Sequence, residues 1–212
     1  MSFARKPLAW TALVLGTLAA AQGCIPVIVG GTGMAVAMVS DRRSSGAYVE
    51  DESIEWKSVK RIEDALGDKV HVNVTAFNRK LLLTGEAFNE ASRDEAGRIA
   101  AAVENVKEVV NELRVAPTST LSARSNDSYI SSQVKARFVP QKDFRVQQVK
   151  VVTEASTVYL MGLVTQREGS AATEVARTTS GVQKVVRVFE YISEDEAKRL
   201  DNATGNNNES GK

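Results

Sequence analysis

Two stretches of this 212-residue chain share one pattern: Val72-Asn-Val-Thr-Ala-Phe-Asn-Arg-Lys-Leu-Leu-Leu-Thr-Gly85 and, 77 positions later, Val149-Lys-Val-Val-Thr-Glu-Ala-Ser-Thr-Val-Tyr-Leu-Met-Gly162. In each stretch, short apolar and β-branched runs flank a polar turn, and the second run ends on a glycine. This pattern is typical of a β-hairpin. Because it occurs twice, it predicts two copies of one small module.

A helix is predicted before each hairpin, from apolar residues spaced for one helix face: Trp56, Val59, Ile62 and Leu66 in the first copy, and Ile130, Val134 and Phe138 in the second. Each hairpin is followed by a second helix, at 89–103 and 167–179, and then by a strand. The offset between the copies falls to 76 over this part, so one extra residue lies in the second helix of the first copy or in its cap. Each module is therefore predicted to be α+β, in the order α-β-β-α-β, with a small mixed sheet packed by two helices.

The N-terminus has the features of a lipoprotein signal peptide. Basic residues at 5 and 6 precede an apolar run from Leu8 to Ala21 that is too short and too rich in small residues for a comfortable membrane span. The junction Ala21-Gln22-Gly23-Cys24 resembles a bacterial lipobox, in which the cysteine receives a lipid and becomes the new N-terminus. Ala21 stands where leucine is common, so ordinary cleavage without lipidation is the alternative.

Cys24 is the only cysteine of the chain and is the predicted lipid anchor. Ile25 follows it, whereas an aspartate at that position retains enterobacterial lipoproteins in the inner membrane. We therefore expect the protein at the outer membrane, lipid-anchored on the periplasmic face.

Composition and charge narrow the possible functions. Without residues 1–23 the chain has 25 basic and 26 acidic side chains, and this net charge of −1 gives no reason to expect a nucleic-acid partner. The predicted organisation is a signal peptide (1–23), a lipidated N-terminus and tether (24–49), the first module (50–115), a linker (116–124), the second module (125–192) and a largely disordered tail (193–212). Because the linker is short, the modules are expected to pack on or near each other.

Residues that could perform chemistry are few. His71 is the only histidine, and no second histidine or cysteine could complete a metal set with it, so a place at a strand edge is expected. The Gly30-Gly31-Thr32-Gly33 run lacks the strand, the Lys-Ser/Thr pair and the helix start of a phosphate loop. Asp94 and Glu95 are neighbours on a predicted helix and point in different directions. We predict no catalytic residue, no metal and no cofactor.

The order of elements, the hairpins and the strand entry from Gly181-Val182 to Val186 resemble the BON domain of bacterial envelope proteins. Two copies behind a lipobox are similar to the dual-BON outer-membrane lipoproteins of the DolP family, as are four short stretches: Asp41-Arg-Arg-Ser-Ser-Gly46, Val72-Asn-Val-Thr-Ala76, Ser125-Asn-Asp-Ser-Tyr-Ile130 and Tyr159-Leu-Met-Gly-Leu-Val-Thr165. The resemblance covers residues 22–192. It implies a non-enzymatic lipoprotein, with diacylglycerol and palmitate on Cys24, that binds anionic phospholipid such as phosphatidylglycerol or cardiolipin through its second module, gathers at division sites and supports envelope integrity.

Charge independently favours the second module as the lipid contact. From Glu50 to Val115 there are 10 basic and 14 acidic side chains, a net charge of −4, whereas from Asn126 to Ile192 there are 9 and 6, a net charge of +3. Basic residues near an anionic membrane contribute about 1 kcal/mol each. The first helix of the second module, with Asn126 or Asp127 as its cap, is the candidate surface, and its predicted lipid-binding residues are Ser125, Asn126, Asp127, Ser128, Tyr129, Ile130, Gln133, Lys135 and Arg137.

Several of these residues have a purely structural alternative. Tyr129 takes the place of a tryptophan of the family, and from its spacing it fits a half-buried core position equally well. Ile130 fits the core better than a lipid surface, because it is four residues from Val134. Lys135 could be an ordinary solvated charge, and Gln133 replaces a family lysine, which removes one headgroup partner.

Two other functions are open at this point. One is a lipid-tethered scaffold that docks the outer-membrane assembly machinery or a cell-wall amidase regulator. The other is an unlipidated periplasmic protein of the osmotically induced BON type. Surface exposure of Tyr129 separates lipid binding from the scaffold, since a buried ring cannot insert among headgroups.

Overall fold

The computed structural model describes residues 41–206. The predicted signal peptide, Cys24 and most of the tether lie outside the described residues, as do residues 207–212. Both modules belong to one compact unit. In the described part of the chain, no helix is both long enough and apolar enough to cross a bilayer.

The two modules follow each other along the chain. The first consists of α1 (Ser45–Leu66), a 3₁₀ turn (Gly67–Lys69), β1 (Val70–Phe77), β2 (Lys80–Ala87), α2 (Glu90–Ala101), β3 (Glu108–Asn111) and the two-residue β4 (Arg114–Val115). The second consists of α3 (Leu121–Phe138), a 3₁₀ turn (Val146–Gln148), β5 (Lys150–Glu154), β6 (Thr157–Val164), α4 (Gln166–Arg177) and β7 (Lys184–Tyr191), and α5 (Glu194–Asn206) follows it. The predicted α-β-β-α-β order is confirmed in both.

Both sheets are mixed, as predicted. In the first, β2 pairs antiparallel with β1 and parallel with β3 and β4. In the second, β6 pairs antiparallel with β5 and parallel with β7. The order β1-β2-β3 places His71 on an edge strand, which confirms its predicted position.

One glycine in each hairpin is required by a close backbone approach. A Cβ on Gly85 would lie 2.1 Å from the carbonyl oxygen of His71, and a Cβ on Gly162 would lie 2.3 Å from that of Gln148. No larger residue fits either position without displacing the neighbouring strand. Both strands continue for two residues beyond the glycine, to Ala87 and Val164, so these glycines do not end the strands as the pattern suggested.

An aspartate from the preceding helix holds each hairpin turn. Ala155 and Ser156 have φ values of 48° and 60°, a left-handed conformation that costs energy for residues with a side chain. Their N–H groups each donate to a carboxylate oxygen of Asp127 at 2.8 Å. Asp51 accepts from the two turn residues of the first module, 78 and 79, at 2.7 Å each. Each aspartate thus offsets part of the strain of its turn.

Helix α3 begins earlier than predicted. Thr120 is its N-cap, because Thr120 Oγ1 accepts from the N–H of Ala123 at 3.2 Å. The predicted caps, Asn126 and Asp127, are therefore wrong, and the last four residues of the predicted linker form the first turn of the helix. A threonine followed by helix-compatible residues was the signal for this start.

Each module has its own apolar core. Ile130, Val134 and Phe138 are buried together in the second, which confirms their predicted face. The buried face of α1 instead includes Ile54 and Ile62, while Trp56 is 67% exposed, so its predicted place on the buried face is wrong. Position 62 is six residues after position 56, which places the two side chains about 120° apart around the helix.

The two sheets also pack against each other, which confirms the expected contact between modules. The buried cluster between them consists of Phe77, Leu82, Tyr159, Met161, Leu163 and Val188. Polar contacts border this cluster: Asn73 Nδ2 donates to Glu154 Oε2 at 3.0 Å, and Lys150 Nζ donates to Glu55 Oε1 at 3.0 Å. The modules are therefore held together by apolar burial with a polar edge.

The chain after residue 193 forms helix α5, so the prediction of a largely disordered tail is wrong for residues 194–206. Ala197 is buried, and Asp201 accepts from Arg42 Nε at 2.9 Å and from Arg42 Nη2 at 3.0 Å. The polar composition of this segment predicted disorder, because the sequence does not show the tertiary contact that stabilises the helix.

The extra residue of the first module is Phe88. Strands β2 and β6 end 77 positions apart, whereas the N-caps of the following helices, Asn89 and Thr165, are 76 positions apart. Phe88 stands between the strand and the cap, where the second module has no residue. The extra residue was predicted in the second helix or its cap, whereas Phe88 directly precedes the cap, so the predicted location is wrong by one residue.

Candidate membrane-binding surface

Helix α3 presents apolar side chains along its outer face. Leu121 is 74% exposed, Tyr129 is 64% exposed, and Val139, which caps the C-terminus of the helix, is 68% exposed. With a rise of about 1.5 Å per residue, these side chains mark a stripe roughly 27 Å long. The alternative in which Tyr129 is a half-buried core residue is therefore wrong.

Small residues fill this stripe between the three apolar side chains. Ser125, Ser128, Ser132 and Ala136 are exposed. Ser128 Oγ donates to the carbonyl oxygen of Arg124, and Ser132 Oγ donates to that of Ser128, both at 3.0 Å. Because these two hydroxyl donors are satisfied within the helix, the face can approach an apolar environment at a lower desolvation cost.

The charges around the stripe are basic. In α3, all of which the structure describes, the one carboxylate is Asp127, and it is buried. Arg124 and Lys135 are exposed and lie on the same edge of the stripe, since eleven residues make about three turns. Arg124 Nη1 also donates to Nε2 of His71 at 3.1 Å. An apolar face with a basic edge is typical of a helix that lies in a membrane interface.

Two predicted lipid-binding residues are buried, and a third also has a structural role. Ile130 and Asp127 are buried, so neither can reach a headgroup, and their assignment to lipid contact is wrong. Arg137 donates to the carbonyl oxygen of Val175 at 3.1 Å and to Thr179 Oγ1 at 2.8 Å. Arg137 therefore connects α3 to α4, and because the residue is exposed it also stays a candidate for lipid contact.

The other predicted residues stay candidates. Ser125, Asn126, Ser128, Tyr129 and Lys135 are exposed, and Gln133 is half-buried. Sequence reasoning missed five residues of the surface, namely Leu121, Arg124, Ser132, Ala136 and Val139. The first two were assigned to the linker, because the start of α3 was placed too late.

A buried arginine connects the segment before the first module to the second module. Arg42 Nη1 donates to the carbonyl oxygen of Leu163 at 2.9 Å and to Glu168 Oε2 at 2.7 Å, and Nη2 donates to Glu168 Oε1 at 2.8 Å. With the two bonds to Asp201, this guanidinium joins the tether, α4 and α5. Through Arg42 the tether thus contacts the module that carries the candidate surface, and through Arg43, which pairs with Asp51, it also contacts the first module.

The pKa values within this ion network are shifted by the pairing. Burial by itself lowers the pKa of Arg42, but hydrogen bonds to Glu168 and Asp201 raise it above its ordinary value. Burial has the opposite effect on the two carboxyl groups and raises the pKa of Glu168 and of Asp201. The hydrogen bonds from Arg42 outweigh this effect and hold both pKa values below their usual range. All three groups are therefore charged at neutral pH.

Comparison with known proteins agrees with the fold of the two modules. The BON domain model matches residues 51–117 and 126–193, so the chain belongs to the BON-domain family. It is 36% identical over 189 residues to outer membrane lipoprotein DolP of Haemophilus influenzae, an alignment that covers 88% of this chain and 98% of that protein. The resemblance to the dual-BON proteins of the DolP family is confirmed.

Two further relatives extend this comparison. The 21 kDa hemolysin of Actinobacillus pleuropneumoniae is 35% identical over 154 residues, which cover 72% of this chain and 79% of that protein. Osmotically-inducible protein Y of Escherichia coli is 27% identical over 154 residues, which cover 69% of this chain and 75% of that protein.

Proposed function

We propose that the protein is an outer-membrane lipoprotein, acylated at Cys24 and facing the periplasm, that binds anionic phospholipid through the exposed face of α3. The observation that carries this proposal is the stripe of exposed apolar side chains with a basic edge, on the module whose net charge is +3. The similarity to outer membrane lipoprotein DolP of Haemophilus influenzae supports the location. In this account, binding of phosphatidylglycerol or cardiolipin gathers the protein at division sites and supports envelope integrity.

The side chains of the stripe have complementary parts in this binding. Leu121 and Val139 bury apolar surface, and Tyr129 places its ring at the interface with its hydroxyl toward the headgroups. Arg124 and Lys135 each contribute about 1 kcal/mol near an anionic surface. Since the acyl chains on Cys24 provide attachment, the headgroup contact selects where in the membrane the protein resides.

Vesicle co-sedimentation of the unlipidated chain from Asp41 onward tests this proposal. We expect binding to vesicles with phosphatidylglycerol or cardiolipin, little binding to zwitterionic vesicles, and weaker binding in high salt because the charges are screened. Tyr129→Ser and Leu121→Ser should each weaken binding by about tenfold, given the apolar area they remove. Trp56→Ser is the matched control, since Trp56 is similarly exposed but lies in the first module.

Absence of selective binding would leave Cys24 as the membrane attachment and contradict lipid recognition by α3. An equal loss in Trp56→Ser would place the contact outside the second module.

A lipid-tethered scaffold is the second candidate function. Two aromatic side chains of the first module, Trp56 and Phe88, are exposed to solvent and lie outside the stripe on α3. Such side chains are enriched at protein interfaces. The partners proposed for such a scaffold are the outer-membrane assembly machinery and cell-wall amidase regulators.

A further inference from the structure

An open groove lies at one corner of the first module, where α1 ends and α2 begins. Its volume is about 560 Å³, and the residues that matter here are Leu66, Phe88 and Ala91 on its apolar side and Asp68, Lys69 and Glu95 on its polar side. Phe88 is 79% exposed, more than any other large hydrophobic side chain in residues 41–206. An apolar surface of this kind is a candidate for binding.

The backbone around Phe88 is firmly held. Its N–H donates to the carbonyl oxygen of Lys69 at 2.9 Å. The next residue, Asn89, caps α2 by accepting from the N–H of Ser92 at 2.8 Å. Phe88 is also the residue that the first module has between its second strand and the cap of the next helix, where the second module has none. Its exposure is therefore built into the fold, and an ordered, exposed aromatic side chain is the type of residue that anchors protein interfaces.

The second module fills the same corner with its own chain. Three residues, 67–69, connect α1 to β1, whereas eleven residues, 139–149, connect α3 to β5. This longer connection carries Phe144, which is buried in the core. The ring of Phe144 packs edge-on against Phe138, with 4.9 Å between ring centroids.

The long connection lies against the start of α4. Arg167 Nη1 donates to the carbonyl oxygen of Asp143 at 3.1 Å. Helices α2 and α4 begin 76 positions apart, so Arg167 is the counterpart of Ala91 in the groove. An alanine there leaves open the space that the second module closes with an arginine and an aromatic segment.

Charge indicates which segment would suit the open groove. In the second module, Phe144 lies in the stretch Lys142-Asp143-Phe144-Arg145, which has two basic residues and one acidic residue. The groove of the first module is bordered by Asp68, Lys69 and Glu95, of which Glu95 also pairs with Arg98, and the module has a net charge of −4. A segment that carries an aromatic residue and a net positive charge therefore complements the apolar floor of the groove and the negative net charge of this module.

We propose that this groove is a docking site for a segment of a partner protein in which an aromatic side chain is flanked by basic residues. The aromatic ring packs on Leu66 and Ala91 beside Phe88, and the basic side chains face Asp68 and Glu95.

The test uses a fluorescent peptide with the sequence of residues 139–149 as probe, titrated with the mature chain carrying Cys24→Ser and followed by fluorescence anisotropy. We expect saturable binding that weakens by about tenfold in Phe88→Ser, as for a central aromatic contact. Ala91→Arg, which introduces the residue of the second module, should block the groove to a similar extent. Trp56→Ser and a peptide with Phe144→Ser serve as controls, and the first should bind normally and the second weakly.

Three results would overturn the proposal. One is a failure of the peptide to bind at the groove, seen either as no saturable binding at millimolar peptide or as binding by Phe88→Ser and Ala91→Arg that equals binding by the unsubstituted groove. Another is self-association of the chain that Phe88→Ser abolishes, which would assign the groove to a second copy. The third is binding to zwitterionic vesicles that Phe88→Ser abolishes, which would assign it to the membrane.

Discussion

The two modules have cores of the same architecture and differ in their surfaces. In both, an aspartate from the first helix holds the hairpin turn, and a glycine at the same strand position admits a neighbouring carbonyl. The second module is enclosed by Arg42, α5 and a long connection, and it exposes the stripe on α3. The first module has a short connection, an open groove at Phe88 and an acidic surface. The two modules therefore have in common the contacts that fold them, while their surfaces differ.

Individual positions 76 apart show where this divergence lies. Ile54 corresponds to Ile130, and both are buried. Trp56 corresponds to Ser132, and both are exposed, but one is a large aromatic residue and the other a small polar one. Substitutions that act on only one module are therefore the way to test the comparison.

The largest effect is expected from Arg42→Met, which removes the charge that joins the tether, α4 and α5. It leaves Glu168 and Asp201 without their buried partner, and such a loss costs about 3–5 kcal/mol. Urea denaturation measures the free energy of unfolding, and limited proteolysis reports release of α5. The control is Arg177→Met, which removes an exposed pair with Glu174 and should cost under about 1 kcal/mol. Similar losses in both variants would contradict the special role of Arg42.

A smaller effect is expected from replacing the aspartates that hold the turns. Asp127→Ala removes two hydrogen bonds to a charged group and should cost about 2–3 kcal/mol in urea denaturation. Asp51→Ala should cost more, because Asp51 also pairs with Arg43 at 2.8 Å. The control is Asp64→Ala, which removes an exposed pair with Lys60. A larger loss in free energy of unfolding for Asp51→Ala than for Asp127→Ala would support this difference between the modules. Losses no larger than that of Asp64→Ala in both variants would contradict the role of the two aspartates.

The ion network also predicts a dependence on pH. Because pairing with Arg42 lowers the pKa of Glu168 and of Asp201, the stability they contribute is complete above their ordinary values of 4.5 and 3.8 and is lost as the pH falls through their lowered pKa values. The difference in free energy of unfolding between the natural chain and Arg42→Met should therefore shrink as the pH is lowered from 7 to 3. A difference that stays constant over this range would contradict the assignment.

The smallest effect on stability is expected at the exposed aromatic residues. Tyr129→Ser and Phe88→Ser should each change the free energy of unfolding by less than about 0.5 kcal/mol, because both side chains are largely exposed. Thermal and urea denaturation check this. A large loss would show that the side chain supports the fold, and its binding defect could not then be interpreted.

Local patterns predicted the hairpins, the order of elements and the buried face of α3, because alternation and helical spacing report directly on burial. The predictions that were wrong concern contacts between residues that are distant in sequence. Asp127 was taken as a helix cap, although its partners lie 28 and 29 residues further on. The docking of α5 depends on Arg42, 159 residues before Asp201. No window of neighbouring residues contains either contact.

The candidate site was predicted to the level of the helix and of Tyr129. Its extent was missed, because Leu121 and Arg124 belong to a first turn that begins at the Thr120 cap. Trp56 was placed on the buried face of α1, because its spacing matched Val59 and Ile62, and only the packed helix shows that Ile54 takes that side instead.

The most direct test of the comparison is the membrane position of the two corresponding helices. With Cys24→Ser as background, a nitroxide label is attached at Ser132→Cys in α3 or at Trp56→Cys in α1, and its accessibility to oxygen and to a water-soluble nickel reagent is measured on phosphatidylglycerol vesicles. Our account predicts that the label at position 132 enters the lipid interface while the label at position 56 stays in water. A label at 132 that stays in water, or a label at 56 that enters the lipid, would contradict it.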